Sequence, residues 1–172
     1  MNENGRPDRD ETSAYYHKYI DLVPDGDITV ILEEQGREVL AFLSGVSPSR
    51  ASHRYAPDKW SVADVLGHIN DTERLFTMRA FWFARGFESA LPGYEPEVAA
   101  RMAAAGDRPW ERHIREFASV RAATVDFFRN LPSDAWQRRG VASDNPFTVR
   151  ALAHIAAGHV IHHVSILKER YL

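Results

Sequence analysis

The sequence predicts an all-α protein, a four-helix bundle with a long connection between its second and third helices. Four long segments repeat apolar residues at three- and four-residue spacing, which is the pattern of an amphipathic helix. No segment alternates apolar and polar residues as a half-buried strand does. Four amphipathic helices can bury their apolar stripes against one another, which favours a bundle. The segments are Ile28–Leu43, Ser61–Arg85, Trp110–Leu131 and Thr148–Leu172.

The N-terminal part of the chain leads into the first two helices. Residues 1–14 are polar and charged, which predicts a disordered tail, and residues 15–172 are predicted to form a single domain. Asp27 is the predicted N-cap of the first long helix. Ser61 is followed three residues later by Asp64, a capping-box-like pattern that predicts the start of the second.

The second half of the chain holds the long connection and the last two helices. The connection covers residues 86–109 and contains a predicted short helix at 95–104. Its length allows the third helix to run parallel to the second instead of returning beside it. Residues 135–146 are predicted to be a loop that precedes the fourth helix.

Composition limits the partners of this protein. Hydrophobic residues make up 44% of the 172 residues and charged residues 26%, the balance of a soluble globular protein. The net charge of −3 offers no general attraction for nucleic acid, and no apolar run reaches the ~20 residues of a membrane span. The N-terminal segment lacks an apolar signal-peptide core, so a cytoplasmic location is expected. The absence of cysteine excludes a cysteine nucleophile or ligand, so any reacting thiol must come from a partner molecule.

Histidines on the fourth helix are the first candidates for a functional site. His159 and His163 lie one turn apart on the face predicted to be buried, where an imidazole needs a polar partner or a metal ion. A pair with this spacing is a weak motif, and satisfied core histidines are the alternative. His154 falls off that face, and His162 flanks it as a poorer ligand. His68 lies at the edge of the apolar face of the second helix, and a third ligand from there would complete a site.

Several stretches of the sequence resemble the DinB/YfiT-like family of metal-dependent proteins. They are Tyr55–Arg74, which contains His68, then short matches at Arg79–Ala80, Ala84–Gly86 and Leu91–Tyr94, and the closing stretch Thr148–Leu172. The early segment Tyr19–Ile28 also resembles the family. The resemblance implies a DinB/YfiT-like four-helix bundle with a long crossover after the second helix. It also implies one divalent transition-metal ion, such as zinc, nickel or iron, bound by His68, His159 and His163. His154 stands where relatives often have an aromatic residue, which supports its exclusion as a ligand.

The same resemblance implies a function. Some relatives are S-transferases or isomerases that depend on a low-molecular-weight thiol, so thiol transfer to a small electrophile is expected here. A divalent cation held by neutral ligands keeps its full charge and favours deprotonation of a coordinated thiol. The alternatives are a metal-dependent hydrolase that uses water, and a non-catalytic metal-binding stress-response protein. The resemblance also makes a homodimer a reasonable expectation.

Two further residues of the second helix are candidates for the site. Asp71 lies one turn from His68 and could orient an imidazole or act as a catalytic base, although a solvated carboxylate is an equal alternative. Arg79 lies on the same stripe as His68, about 16 Å further along the helix. Arg79 could therefore bind an anionic part of a long substrate, but an internal ion pair is the favoured explanation for this residue.

Overall fold

The described part of the chain, residues 3–172 of a computed structural model, is dominated by helices. The α-helices are α1 Ala14–Ile20, α2 Ile28–Ser44, α3 Val62–Ala84, α4 Pro96–Ala103, α5 Trp110–Arg129 and α6 Val149–Ile166. The four predicted long helices correspond to α2, α3, α5 and α6. The short helix α1 precedes α2, and α4 interrupts the connection between α3 and α5. A π-helical turn at Leu167–Tyr171 extends the last helix.

The four long helices form the predicted bundle. Helix α3 packs against α5 and α6, and α2 packs against the same two helices. The order around the bundle is therefore α2, α5, α3, α6, which places the consecutive helices α2 and α3 at opposite corners. The all-α four-helix bundle with a long crossover after its second long helix is confirmed. Within residues 3–172, none of the helices combines the length and the hydropathy of a membrane span.

The predicted caps define the starts of two bundle helices. The Asp27 side chain accepts a hydrogen bond from the backbone N–H of Thr29 at 2.8 Å and begins α2. At the start of α3, the Ser61 hydroxyl accepts from the backbone N–H of Asp64 at 3.1 Å, and the Asp64 carboxylate accepts from the N–H of Ser61 at 2.9 Å. Both arrangements satisfy N–H groups that have no partner within the helix.

The loop predicted at residues 135–146 contains a β-hairpin, so that prediction was incomplete. Strands β1, Arg139–Ala142, and β2, Asn145–Thr148, pair antiparallel. Ser143 and Asp144 form the turn with φ values of 50° and 58°, the left-handed conformation that tight hairpins use. The strand sequences Arg-Gly-Val-Ala and Asn-Pro-Phe-Thr do not alternate apolar and polar residues, so no strand pattern marks this hairpin in the sequence.

Within the described residues 3–14, part of the segment predicted to be a disordered tail packs against the bundle. Arg9–Glu11 forms a short 3₁₀ helix, and Glu11 is only 1% exposed. Its carboxylate pairs with the guanidinium of Arg150 and accepts a hydrogen bond from the Thr148 hydroxyl at 2.6 Å. Because a buried carboxylate requires such partners, these contacts fix the segment on the start of α6. The partners lie more than 130 residues away in the chain, so local composition gives no sign of them.

Helix α1 follows this segment and packs directly on the backbone of α6. Gly158 allows this approach, since a Cβ atom there would lie 2.0 Å from the carbonyl oxygen of Tyr19. The contact places Tyr19 beside His159, with ring centroids 5.4 Å apart. The N-terminal part of the chain therefore contributes a wall to the region around the histidines.

A buried ion pair connects the bundle helices. Arg121 of α5 and Glu73 of α3 are 3% and 2% exposed, and two guanidinium N–H groups donate to the two carboxylate oxygens at 2.7 Å. Arg121 also donates to the Leu32 carbonyl and to the Gln35 side chain of α2. Gln35 in turn donates to the Ala157 carbonyl of α6 at 2.9 Å. One polar network thus links all four long helices.

Candidate metal centre

Three histidines converge between α3 and α6. The Nε2 atom of His159 lies 3.1 Å from Nε2 of His68 and 3.1 Å from Nε2 of His163. One ring nitrogen from each residue lies within 4.8 Å of the others. His68 and His159 are buried and His163 is half-buried. The bundle therefore brings together the three residues predicted as metal ligands.

The donor set fits a metal ion better than it fits hydrogen bonding alone. A neutral imidazole nitrogen carries either one hydrogen or one lone pair, so Nε2 of His159 can make only one good hydrogen bond to its two neighbours. A cation that takes a lone pair from each nitrogen satisfies all three. Two nitrogens bound to tetrahedral zinc are about 3.3 Å apart, close to the 3.1 Å that separates Nε2 of His159 from each of its two neighbours, and all three donor atoms lie within 4.8 Å of one another.

Thr72 orients the central imidazole. Its hydroxyl donates to the backbone carbonyl of His68 at 2.6 Å, so an oxygen lone pair faces Nδ1 of His159 at 3.3 Å. This contact assigns the proton of His159 to Nδ1 and leaves the Nε2 lone pair directed at the other histidines. The sequence shows Thr72 on the same stripe as His68. Its contact with His159, 87 residues further on, depends on how α3 and α6 pack.

The environment keeps the three imidazoles neutral. Burial lowers the pKa of His68 to about 4 and that of His163 to about 3. The pKa of His159 lies well below its ordinary value, first because of burial and then because of the neighbouring histidines. Neutral imidazoles are the form that binds metal, so at neutral pH protons compete little for this site.

We expect the metal-free protein to lose stability as the pH falls from about 6.5 towards 4. Burial also holds the pKa of His154 at about 4, whereas an unfolded histidine titrates near 6.5, so the unfolded chain takes up the protons first. Each such histidine lowers the free energy of unfolding by up to about 1.4 kcal/mol for each pH unit within this range. Denaturant unfolding at several pH values, in the presence of a chelator, measures the slope of the free energy of unfolding against pH. A His154→Phe variant should show a shallower slope, and an unchanged slope would contradict the assignment.

A cavity of about 340 Å³ opens beside the three histidines. Aromatic rings form much of its wall, and none of the described residues that line it is acidic. Trp60 packs against the His68 ring with centroids 4.8 Å apart. The tyrosines of α1 and Ser143 of the hairpin turn were not predicted as parts of the site, because only packing brings them there. The lining comprises Tyr15, Tyr16, Tyr19, Trp60, His68, Thr72, Leu75, Phe76, Arg79, Tyr94, Pro96, Ser143, His159 and His163.

The other candidate residues have different positions. Arg79 lines the cavity together with the three histidines. Asp71 does not line it: its carboxylate lies 3.5 Å from Arg74, burial raises its pKa, and its catalytic role stays a prediction. His154 is buried elsewhere on α6, with its Nδ1 3.0 Å from the Arg150 carbonyl. His162 contacts Tyr19 and is not one of the three converging histidines.

Comparisons with known proteins agree with this fold. The sequence model of the DinB superfamily matches residues 31–167. YfiT from Bacillus subtilis, described as a probable metal-dependent hydrolase with an unusual four-helix bundle topology, superimposes with a TM-score of 0.73 and 15% sequence identity. The alignment covers 98% of this chain and 95% of YfiT. No curated protein matches the sequence significantly.

A second similar structure is larger than this chain. The mycothiol-dependent maleylpyruvate isomerase superimposes with a TM-score of 0.64, and a single-site mutant of it with 0.66, both at 14% identity. The alignments cover 80% of this chain but only 58% of the isomerase. At these identities the likeness shows a shared fold.

Proposed function

Because this chain belongs to the DinB superfamily, we propose that it is a metal-dependent enzyme that transfers a small thiol to an electrophile. His68, His159 and His163 hold the divalent transition-metal ion. The observation that carries the proposal is the convergence of three neutral imidazole nitrogens at the wall of a cavity large enough for a small molecule. Three protein ligands leave coordination positions for a substrate, as catalytic sites require.

The residues around the site have distinct tasks in this proposal. A divalent cation bound by neutral donors lowers the pKa of a coordinated thiol or water. Thr72 keeps the lone pair of His159 directed at the ion. The aromatic side chains give the cavity a partly apolar wall beside the ion, and electrostatic interactions are stronger in such surroundings than in bulk water. The chain has no cysteine, so the thiol is a co-substrate, and the fold shared with a mycothiol-dependent isomerase supports this choice.

Thiol-dependent turnover is the expected result of a direct assay. Metal-loaded protein is mixed with a panel of small thiols and a fluorogenic electrophile of the monochlorobimane type. We expect at least one thiol to give turnover above the uncatalysed rate, and His159→Ala to reduce it to that rate because the central ligand is lost. His162→Ala, which changes a histidine of the same helix outside the converging group, should retain turnover. Turnover that persists in His159→Ala would contradict the proposal.

Hydrolysis is the second candidate function. YfiT is described as a probable metal-dependent hydrolase, and its fold matches nearly the full length of this chain. This likeness favours hydrolysis. In this alternative, water replaces the thiol at the same three-histidine site. Hydrolysis of an ester or amide panel that depends on His159, with no turnover for any thiol, would replace the transferase proposal.

A further inference from the structure

We propose that the end of the cavity at Arg79 is a recognition site for a carboxylate, so that the substrate is an organic acid. This inference rests on the proposed function, which places the reacting atom at the three histidines, and it adds the chemical class of the substrate. Its own basis is Arg79 itself, together with the shape and the charge of the cavity.

Arg79 is a buried cation without a described anionic partner. It is 2% exposed, and one guanidinium nitrogen donates to the Pro92 carbonyl at 3.1 Å and to the Ser143 hydroxyl at 2.7 Å. Its Nε atom is buried and has no hydrogen-bond partner. Among residues 3–172, no carboxylate lies within 4 Å of the guanidinium. Burial lowers the pKa of Arg79, but arginine stays protonated in proteins, so the charge remains.

The other two arginines that are buried among the described residues each have a carboxylate partner. Arg121 is paired with Glu73, and Arg150 is paired with Glu11. An unpaired buried charge is costly, and proteins satisfy such groups with a counter-ion or with a ligand. The internal ion pair favoured for Arg79 in the sequence is therefore not found among the described residues. An anionic ligand in the cavity would supply the missing partner.

The cavity has room for an anion between Arg79 and the histidines. Its floor along α3 runs from His68 through Thr72 and Phe76 to Arg79, all of which line the same cavity. The backbone of α3 advances about 16 Å over these eleven residues, so Arg79 and His68 enter the cavity from different turns of the helix. The absence of acidic side chains among the described lining residues leaves Arg79 uncompensated.

The hairpin turn completes this end of the cavity. Ser143 has a φ of 50°, a left-handed conformation that a non-glycine residue adopts at an energetic cost. The turn is held by the connection after α3, where the Leu91 carbonyl accepts a hydrogen bond from the N–H of Ser143 at 3.1 Å. Because Ser143 accepts a hydrogen bond from Arg79, its own hydroxyl hydrogen is free to donate to a carboxylate beside the guanidinium.

Calorimetry on the metal-free protein tests the site without depending on catalysis. The probes are phenylhexanoate and its primary amide, which differ in charge and have the same length. We expect the acid to bind at least about tenfold more tightly than the amide, since hydrogen bonds to a charged group are the stronger kind. Arg79→Gln should remove this preference. Arg74→Gln, an exposed arginine of the same helix outside the cavity, should leave it unchanged.

Each outcome of this experiment bears on the proposal. Equal binding of acid and amide to the unmodified protein would overturn it, whether or not the Arg79→Gln variant folds. A preference that persists in a folded Arg79→Gln protein would overturn the assignment to Arg79. A separate measurement on cobalt-loaded protein records the thiolate-to-cobalt absorption band with mercaptooctanol. If that band is absent while the acid preference is present, the thiol function fails and the carboxylate site stands.

Discussion

Arg121→Ala is expected to lower the free energy of unfolding by about 3–5 kcal/mol, among the largest effects of a single substitution in this protein. The variant leaves Glu73 as an uncompensated carboxylate that is 2% exposed in the centre of the bundle. It also removes the donor to the Leu32 carbonyl and to Gln35, so that several buried acceptors lose a partner. Because this network spans all four long helices, we expect the variant to unfold in one cooperative transition with its midpoint at a lower denaturant concentration.

Denaturant unfolding of the variant measures this effect, and the chain offers a matched control. Arg129 lies on the same helix as Arg121 and also pairs with a carboxylate of another bundle helix, Glu33 of α2, at 2.9 Å. Both side chains of that pair are nearly half exposed, so Arg129→Ala should cost only about 0–1 kcal/mol. If the two variants lost similar free energy, the buried network would not have the importance assigned to it.

His159→Ala is expected to abolish stoichiometric metal binding. Purified unmodified protein should contain about one transition-metal ion per chain, because the described residues bring one such group of three histidines together. His159 is the central donor, with Nε2 3.1 Å from the nitrogens of both His68 and His163. Without His159, only His68 of α3 and His163 of α6 remain as ligands, and the central donor between them is missing. Elemental analysis of the variant measures the effect, and full occupancy would refute the ligand assignment.

The same ion should also stabilise the fold. A ligand that binds only the folded chain adds about 4 kcal/mol when its free concentration is a thousand times its dissociation constant. We therefore expect a chelator to lower the melting temperature of the unmodified protein and to leave that of His159→Ala almost unchanged. His154→Phe changes a buried histidine of the same helix outside the converging group and should retain both the metal and the response to chelator.

The helices and their starts were predictable because their signals are local. The three- and four-residue repeat of apolar side chains depends only on helix geometry, and it identified all four bundle helices. The caps at Asp27 and at Ser61 with Asp64 involve residues two or three positions apart. The spacing of His159 and His163 on one turn of α6 belongs to the same class of signal. Their pairing with His68 came from the family resemblance, and the packing of α3 on α6 provides it.

The rest of the site depends on contacts between distant parts of the chain. The contact of Thr72 with His159, the meeting of Ser143 with Arg79 and the anchoring of Glu11 on Arg150 join residues 64 to 139 positions apart. No periodic pattern in the sequence predicts such pairs, because each of these residues taken alone is an ordinary polar residue. Sequence determined which helices form and which faces they bury. Tertiary packing decided which polar groups find partners, because burial makes an unpaired charge costly and so gives Arg79 its distinct position.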